Sequence, residues 1–393
     1  MEIPFARPSL TGDEGAAVAA VIASGWVSQG PRVQAFETAF ADRVGAAEAV
    51  ATTNCTTSLQ LALYASGVGP GDEVIVPSLS FVATANAAWQ CGATPVFADI
   101  DPLTYNLDPG AAEAAITPRT RAIMPVHQVG LPADMDEFLA LGRRYGVVIV
   151  EDAACAIGAE YKGRRIGSLG PLACFSFHPR KVITTGEGGM IAVSDPEVAK
   201  RLRRLRQHGM DMSDLARHAA RDVVFESYPE RGWNSRMTDM QAALGLCQLG
   251  ALDEILARRR SLAERYTAAI EEIDFVTPPC EPPDTKRTWQ SYCVRLDAEA
   301  PLDRTELMRR LLQDGIPTRR GVMAIHEEAS YAGQALVQLP HTEAAAREVL
   351  MLPLFADLSV EQQDYVIERL AEHLGGGGVS RRRQRAAVQV SAP

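Results

Sequence analysis

Between residues 47 and 195 the chain alternates between two patterns. Short, almost wholly apolar runs recur at AEAVATT (47–53), EVIVP (73–77), TPVFADI (94–100), RAIMPV (121–126), VVIVED (147–152), LACFSF (172–177) and GMIAVS (189–194). Between most of them lie segments such as TSLQLALYAS, ATANAAWQ, DMDEFLALGRRYG and DPEVAKRLRRLR, which read as helices. Short β-branched runs alternating with amphipathic stretches predict βαβ units, and so an α/β fold whose mainly parallel sheet is covered by helices on both faces. Ligands of such sheets lie at the carboxyl ends of the strands, in the loops that follow.

From Met237 the pattern changes. TDMQAALGLCQLGALDEILARRRSLAERYTAAIEEI reads as one long helix, apolar on a stripe and charged opposite. A Pro-rich break, VTPPCEPPD, precedes SYCVRL and helices around DRTELMRRLLQDG and SVEQQDYVIERLAEHL. This predicts a second, smaller α/β domain. The chain then divides into an N-terminal arm (1–30), a large domain (31–245), a small C-terminal domain (246–374) and a disordered tail (375–393). The tail joins a glycine run to four arginines and has no core pattern.

Charge and composition narrow the function. A formal net charge of -10 opposes wholesale binding to nucleic acid. No stretch has the roughly 18 uninterrupted apolar residues that a membrane span needs. The start, MEIPFARPSLTGDE, lacks the apolar core of a signal peptide. Seven cysteines, odd in number, scattered and never in CxxC, fit free thiols in a reducing cytoplasm and no metal site.

Three strand ends carry the candidate chemistry. In NCTTSLQLAL, Asn54, Cys55, Thr56, Thr57 and Ser58 join a strand to a helix. That helix start offers free N–H groups, hydroxyls and a positive dipole to a phosphate, although an ordinary N-cap has the same composition. In VVIVEDAAC, Asp152 ends an apolar strand, where a carboxylate is costly unless it meets a cation or donors. In FSFHPRKVITTGEGG (175–189), Ser176 and Lys181 follow the next strand, and the glycines let the backbone turn close to the lysine.

Together these parts suggest pyridoxal phosphate. That cofactor needs an amine to hold it as a Schiff base, a carboxylate for its ring nitrogen, an anion cradle and a flat surface against its ring. Lys181, Asp152, the Thr56–Thr57 helix start with Ser176, and Phe81 fill these roles.

The chain resembles the DegT/DnrJ/StrS-type sugar aminotransferases, which have the pyridoxal-phosphate fold-type-I architecture. The resemblance runs from about Trp26 to Leu370. Its landmarks, in order, are SGWVSQGPRVQAFE, NCTTSLQLAL, GDEVIVPSLSFVATANA, VHQVGLPADMD, VEDAACAIGA, FSFHPRKVITTGEGG, RGWNSRMTDMQAALGLCQL and LPLF. It implies that Lys181 carries the cofactor, that Asp152 pairs with its ring nitrogen, and that Thr56, Thr57 and Ser176 bind its phosphate. Phe81 falls where the family sets an aromatic ring. Asn234 corresponds to an asparagine that reaches the cofactor of a neighbouring subunit, which implies a homodimer with shared sites. Cys55 stands where many members have glycine. Cys155 stands, near the ring oxygen, where Gln or His is common.

The resemblance also implies a two-stage transfer. An amino acid, glutamate or glutamine, gives its amino group to the cofactor, which passes it to a keto-sugar. The expected acceptor is a 4-keto-6-deoxy sugar on a nucleoside diphosphate. Lys181 would act as the base, its pKa lowered by the cationic cofactor and by burial. Arg319, Arg320 and His326 are candidates for the acceptor's diphosphate, and His178 and Arg180 for substrate contacts. An aminocyclitol aminotransferase would use the same machinery. A sugar dehydratase of this fold replaces the lysine, typically by histidine, and a non-catalytic regulator would have lost Lys181 or Asp152.

Overall fold

A computed structural model describes residues 1–212, 217, 220–333 and 338–375. The expected tail therefore lies outside the described residues from position 376 onwards. The central sheet has seven strands: β1 (Glu48–Thr52), β2 (Glu73–Pro77), β3 (Thr94–Ala98), β4 (Thr120–Ile123), β5 (Val148–Asp152), β8 (Leu172–Ser176) and β9 (Gly189–Val193). Two short strands, β6 (Glu160–Tyr161) and β7 (Arg164–Arg165), belong to a separate ribbon. The order across the central sheet is β1-β9-β8-β5-β4-β2-β3. All neighbours are parallel except β9, which runs antiparallel to both β1 and β8.

That one reversal gathers the expected site. Thr52 pairs with Gly189, and Gly189 with Ser176, so the exits of β1 and β8 share one register row. Asp152 pairs with Cys174 two residues below that row. All three strand ends therefore open on one rim of the sheet. The glycines between them have distinct duties. Gly186 turns the chain at φ +81°. A Cβ on Gly189 would lie 2.5 Å from Ser58 Oγ and from the Asn54 backbone, so this glycine lets β9 pass beneath the 54–58 loop.

A second sheet is antiparallel, with order β10 (Val276–Thr277), β12 (Tyr292–Leu296), β14 (Val349–Leu352), β13 (Arg319–Arg320). It has its own apolar cluster, in which Tyr266, Tyr292, Leu307 and Leu370 are fully buried. Ile3 from the chain start sits in the same cluster. Strand β11 (Thr285–Lys286) pairs with β6 and ties the connection between β10 and β12 to the loop after β5.

The expected single helix over 238–273 is two helices, Asp239–Gly250 and Leu252–Ile270, meeting at Ala251. Gly250 weakens the first where it ends, and Asp253 and Glu254 favour a new N-terminus just beyond. The first of these helices carries a capping box at Thr238 and Gln241. Its buried Asp239 also accepts from the N–H groups of Gly30, Arg32 and Val33, which start helix α2 (Pro31–Val44). Helix α1 (Glu14–Ser24) docks on the same helix through Gln248, whose Nε2 donates to Glu14 at 2.8 Å. No described helix is long and apolar enough to cross a membrane.

Candidate active site

A cavity of about 820 Å3 lies at the sheet rim, walled on one side by the ends of β1, β5 and β8 and on the other by β13 and β14 of the second sheet. Its lining includes Thr56, Thr57, Phe81, Asp152, Cys155, Ser176, His178, Arg180, Lys181, Arg319 and Arg320. Eleven of the thirteen candidate residues are thus brought together. Asn234 and His326 are not.

Asn54 caps helix α3 (Cys55–Ala65), its Oδ1 accepting from Thr57 N at 2.9 Å and Thr57 Oγ1 at 3.1 Å. The ordinary cap and the anion cradle therefore coexist, because the cap orients the first turn that faces the cavity. Cys55 lines the cavity as well. Its thiol donates to the carbonyl of Cys174 at 3.6 Å, and burial pushes it well above its usual pKa.

Asp152 is 5% exposed. Its Oδ2 accepts from Thr84 Oγ1 at 2.8 Å and its Oδ1 from Ala154 N at 3.2 Å. Thr84 lies in helix α4 (Ala83–Gln90) and is itself bonded to Ser80 at 2.7 Å. Burial raises the Asp152 pKa despite these donors and the nearby Lys181. Below the same strand end, His127 and Glu151 are fully buried and joined at 2.9 Å. Ala133 N donates to His127 Nδ1, so the proton sits on Nε2, facing Glu151.

Lys181 Nζ donates to Cys155 Sγ at 3.1 Å. Burial opposes its charge, but Cys155 and Asp152 outweigh burial, and the amine lies above its ordinary value. The expected lowering by burial does not hold in the protein alone. His178 Nδ1 accepts from Arg180 N at 3.2 Å, and its Nε2 stands 4.0 Å from Glu187. Burial lowers the His178 pKa, against the pull of Glu187. Arg319 stacks on Phe5 at 5.6 Å, and Arg320 donates to Glu328 at 2.7 Å. Phe81, 58% exposed, precedes helix α4 at the cavity mouth.

His326 lies outside the cavity lining. Its Nδ1 shares a 2.7 Å hydrogen bond with Ser78 Oγ, and its backbone N–H meets the same oxygen, so the ring braces the end of β2. Asn234 is exposed and forms a backbone bridge with Gln207 outside the cavity of its own chain. Sequence reasoning missed Thr84, His127, Glu151 and Gln290, all buried polar groups near the rim. The glutamate beside Asp152 in an apolar strand was the one available signal.

The fold is that of a pyridoxal-phosphate-dependent aminotransferase of fold type I. The chain belongs to the DegT/DnrJ/EryC1/StrS aminotransferase family, whose model matches residues 8–371. It is 40% identical over 379 residues to the spore coat polysaccharide biosynthesis protein SpsC of Bacillus subtilis (strain 168), covering 95% of this chain and 97% of that protein. The S. venezuelae DesV structure in complex with a ketimine intermediate aligns with a TM-score of 0.85 at 38% identity, over 95% of this chain and 99% of that one. The aminotransferase TlmJ of Streptoalloteichus hindustanus aligns with a TM-score of 0.87, also at 38% identity, over 95% and 98%.

Proposed function

We propose that this aminotransferase moves an amino group from glutamate or glutamine to a nucleotide-linked 4-keto-6-deoxy sugar, in the making of deoxyaminosugars. The observation that carries the reading is the meeting of the Lys181 amine and the buried Asp152 carboxylate in one cavity beside the start of helix α3. SpsC, which acts in spore coat polysaccharide biosynthesis by its name, supports a sugar acceptor.

The residues fit pyridoxal phosphate. Asp152 is a carboxylate that burial has made costly to ionise and whose protein partners are two neutral donors, so a cationic ring nitrogen supplies what it lacks. Thr56, Thr57 and Ser176 would hold the phosphate, Phe81 and Cys155 would flank the ring, and Lys181 would hold the cofactor covalently. When bound, pyridoxal phosphate supplies a carbon that takes amino groups and a ring that accepts electrons from the carbon beside them.

The chain's own part is proton handling and orientation. Lys181 Nζ takes a proton from the donor's α-carbon and later gives one to the carbon that receives the nitrogen. A cation at the ring would offset the attraction that now holds the amine above its usual value. Asp152, aimed by Thr84, fixes where positive charge resides. Arg180, Arg319 and Arg320 supply local positive charge for a diphosphate on a chain of net charge -10. His178 stands at the rim with its Nε2, 4.0 Å from Glu187, on offer to substrate.

Asn234 supports a homodimer. It is exposed and outside its own cavity, so its amide serves a cofactor only across a subunit boundary. The test of the function is to load the protein as its pyridoxamine form and offer nucleotide-linked keto-sugars alongside cyclitol ketones. Recovery of the pyridoxal absorbance with a keto-sugar is expected. Recovery with cyclitol ketones alone would replace the sugar reading.

A further inference from the structure

The segment between β11 and β12 forms part of the cavity wall, and Gln290 lies at its centre. Its conformation is imposed from three sides. Trp289 adopts φ 53°, a left-handed geometry that a bulky residue accepts only when its surroundings hold it there. Its ring stacks on Tyr292, with centroids 5.7 Å apart, and lies under the Arg287 guanidinium at 4.5 Å. Buried Arg259 donates Nη1 to the carbonyls of Trp289 at 3.0 Å and Leu354 at 3.3 Å. Gln290 is therefore presented by a rigid strap.

Its side chain is 8% exposed, yet only half of its amide is used. Nε2 donates to the carbonyl of Arg180 at 2.6 Å, and Oε1 is buried with no partner. Exchanging the two amide atoms would set Oε1 against the Arg180 carbonyl, acceptor against acceptor, so the orientation is determined. A buried, fixed, unpaired acceptor on a cavity wall is costly to fold and signals a missing donor. Its bond partner, Arg180, directly precedes Lys181, and Gln290, Arg180 and Lys181 all line this one cavity.

We propose that Gln290 Oε1 accepts a hydrogen bond from a hydroxyl of the bound ketone, which makes Gln290 a specificity-determining residue for the amino acceptor. This deepens the proposed function and rests on it. A neutral amide oxygen repels the carboxylates that the amino donor carries, whereas a polyhydroxylated ring offers neutral donors. A site built to bond a hydroxyl discriminates strongly against the analogue without it, because the unpaired oxygen then stays buried.

The test separates the two half-reactions. Gln290→Met keeps the volume and removes the acceptor, together with the donor to the Arg180 carbonyl. Gln290→His keeps one donor for Arg180 and one acceptor for the ligand. With whichever ketone of the panel is aminated, Gln290→Met is expected to slow the acceptor half-reaction on the order of 10- to 100-fold. The donor half-reaction and the dissociation constant for pyridoxal phosphate should stay within about threefold, and Gln290→His should recover part of the loss. Among acceptor analogues lacking one hydroxyl each, one should react with wild type as slowly as the parent does with Gln290→Met. That analogue should lose nothing further in the variant. If Gln290→Met fails to fold, the same comparison is made with Gln290→His, where that analogue should be less disfavoured than in wild type. Equal slowing of both half-reactions, weaker cofactor binding, or equal penalties for every analogue would make Gln290 a brace for the Lys181 loop and overturn the proposal. If no ketone is aminated, the proposed function falls and takes this inference with it. An aminated ketone indifferent to Gln290 overturns this inference alone.

Discussion

Thr84 donates its hydroxyl to the Asp152 carboxylate across 2.8 Å, in a place closed to water. A hydroxyl bond to a charged group in such a place is worth about 1.5–3 kcal/mol. Thr84→Val keeps the shape and removes that donor. Pyridoxal phosphate should bind roughly 10- to 100-fold more weakly to the variant, by equilibrium titration of the apoprotein. Thr84→Ser should restore most of the affinity. Wild-type affinity in Thr84→Val would mean that Asp152 does not hold the cofactor through charge.

Asp152→Asn should act in opposite directions on stability and on turnover. A buried carboxyl whose folded pKa is raised binds its proton more tightly folded than unfolded. Stability therefore falls as pH rises from the ordinary carboxylate range through the folded pKa, and the ionised group is a burden at neutral pH. Removing the charge should raise the melting temperature of the apoprotein at pH 7 while lowering turnover about 10²- to 10³-fold. A variant that keeps wild-type turnover would refute the assignment.

Lys181→Ala removes the one amine placed between Cys155 and Asp152 in the cavity lining. Borohydride reduction in the presence of pyridoxal phosphate should add the cofactor's mass to wild type and nothing to the variant, by intact-mass spectrometry. Labelling of another lysine at comparable yield would displace Lys181 from its role.

Acid should loosen the chain start. Glu14 accepts from the N–H groups of Thr11 and Gly12, each at 2.9 Å, and from Gln248. Burial opposes its charge, but these bonds prevail and hold its pKa at about 2, below its ordinary 4.5. A carboxyl with a depressed folded pKa contributes stability that is complete above 4.5 and is lost as pH falls toward 2. Glu14→Gln should flatten the decline in melting temperature across that window. An unchanged pH profile would show that the Glu14 carboxylate does not stabilise the fold.

Mixing two inactive chains tests the shared site. Lys181→Ala and Asn234→Ala chains, dissociated and reassociated together, form heterodimers in which one site carries both lesions and the other neither. Activity should rise well above either parent. Heterodimers that form, by mass spectrometry, without recovering activity would show a site built within one chain.

Much of this was legible in residues close together in sequence. Asp152 at the end of an apolar strand, Asn54 before a helix, and Lys181 after FSF each carried a local signature. The reversal of β9 was legible in principle, since stretch 177–188 is short and has no helical pattern with which to cross back parallel. The partners were not legible. Thr84 with Asp152, Gln248 with Glu14 and Gln290 with Arg180 are separated by 68, 234 and 110 positions, and no spacing rule links them. Nor does a histidine near two arginines reveal that its Nδ1 meets Ser78, 248 positions away.

The register row Thr52–Gly189–Ser176 has a consequence for motion. The chain enters the lysine loop from β8 and leaves it into β9, and both ends are hydrogen-bonded to each other as neighbouring strands. A loop clamped at both feet has little entropy left to lose and little freedom to swing. The facing wall is less constrained, because there β13 is a two-residue edge strand with a single neighbour. Of the two walls, the one that carries the lysine is the anvil.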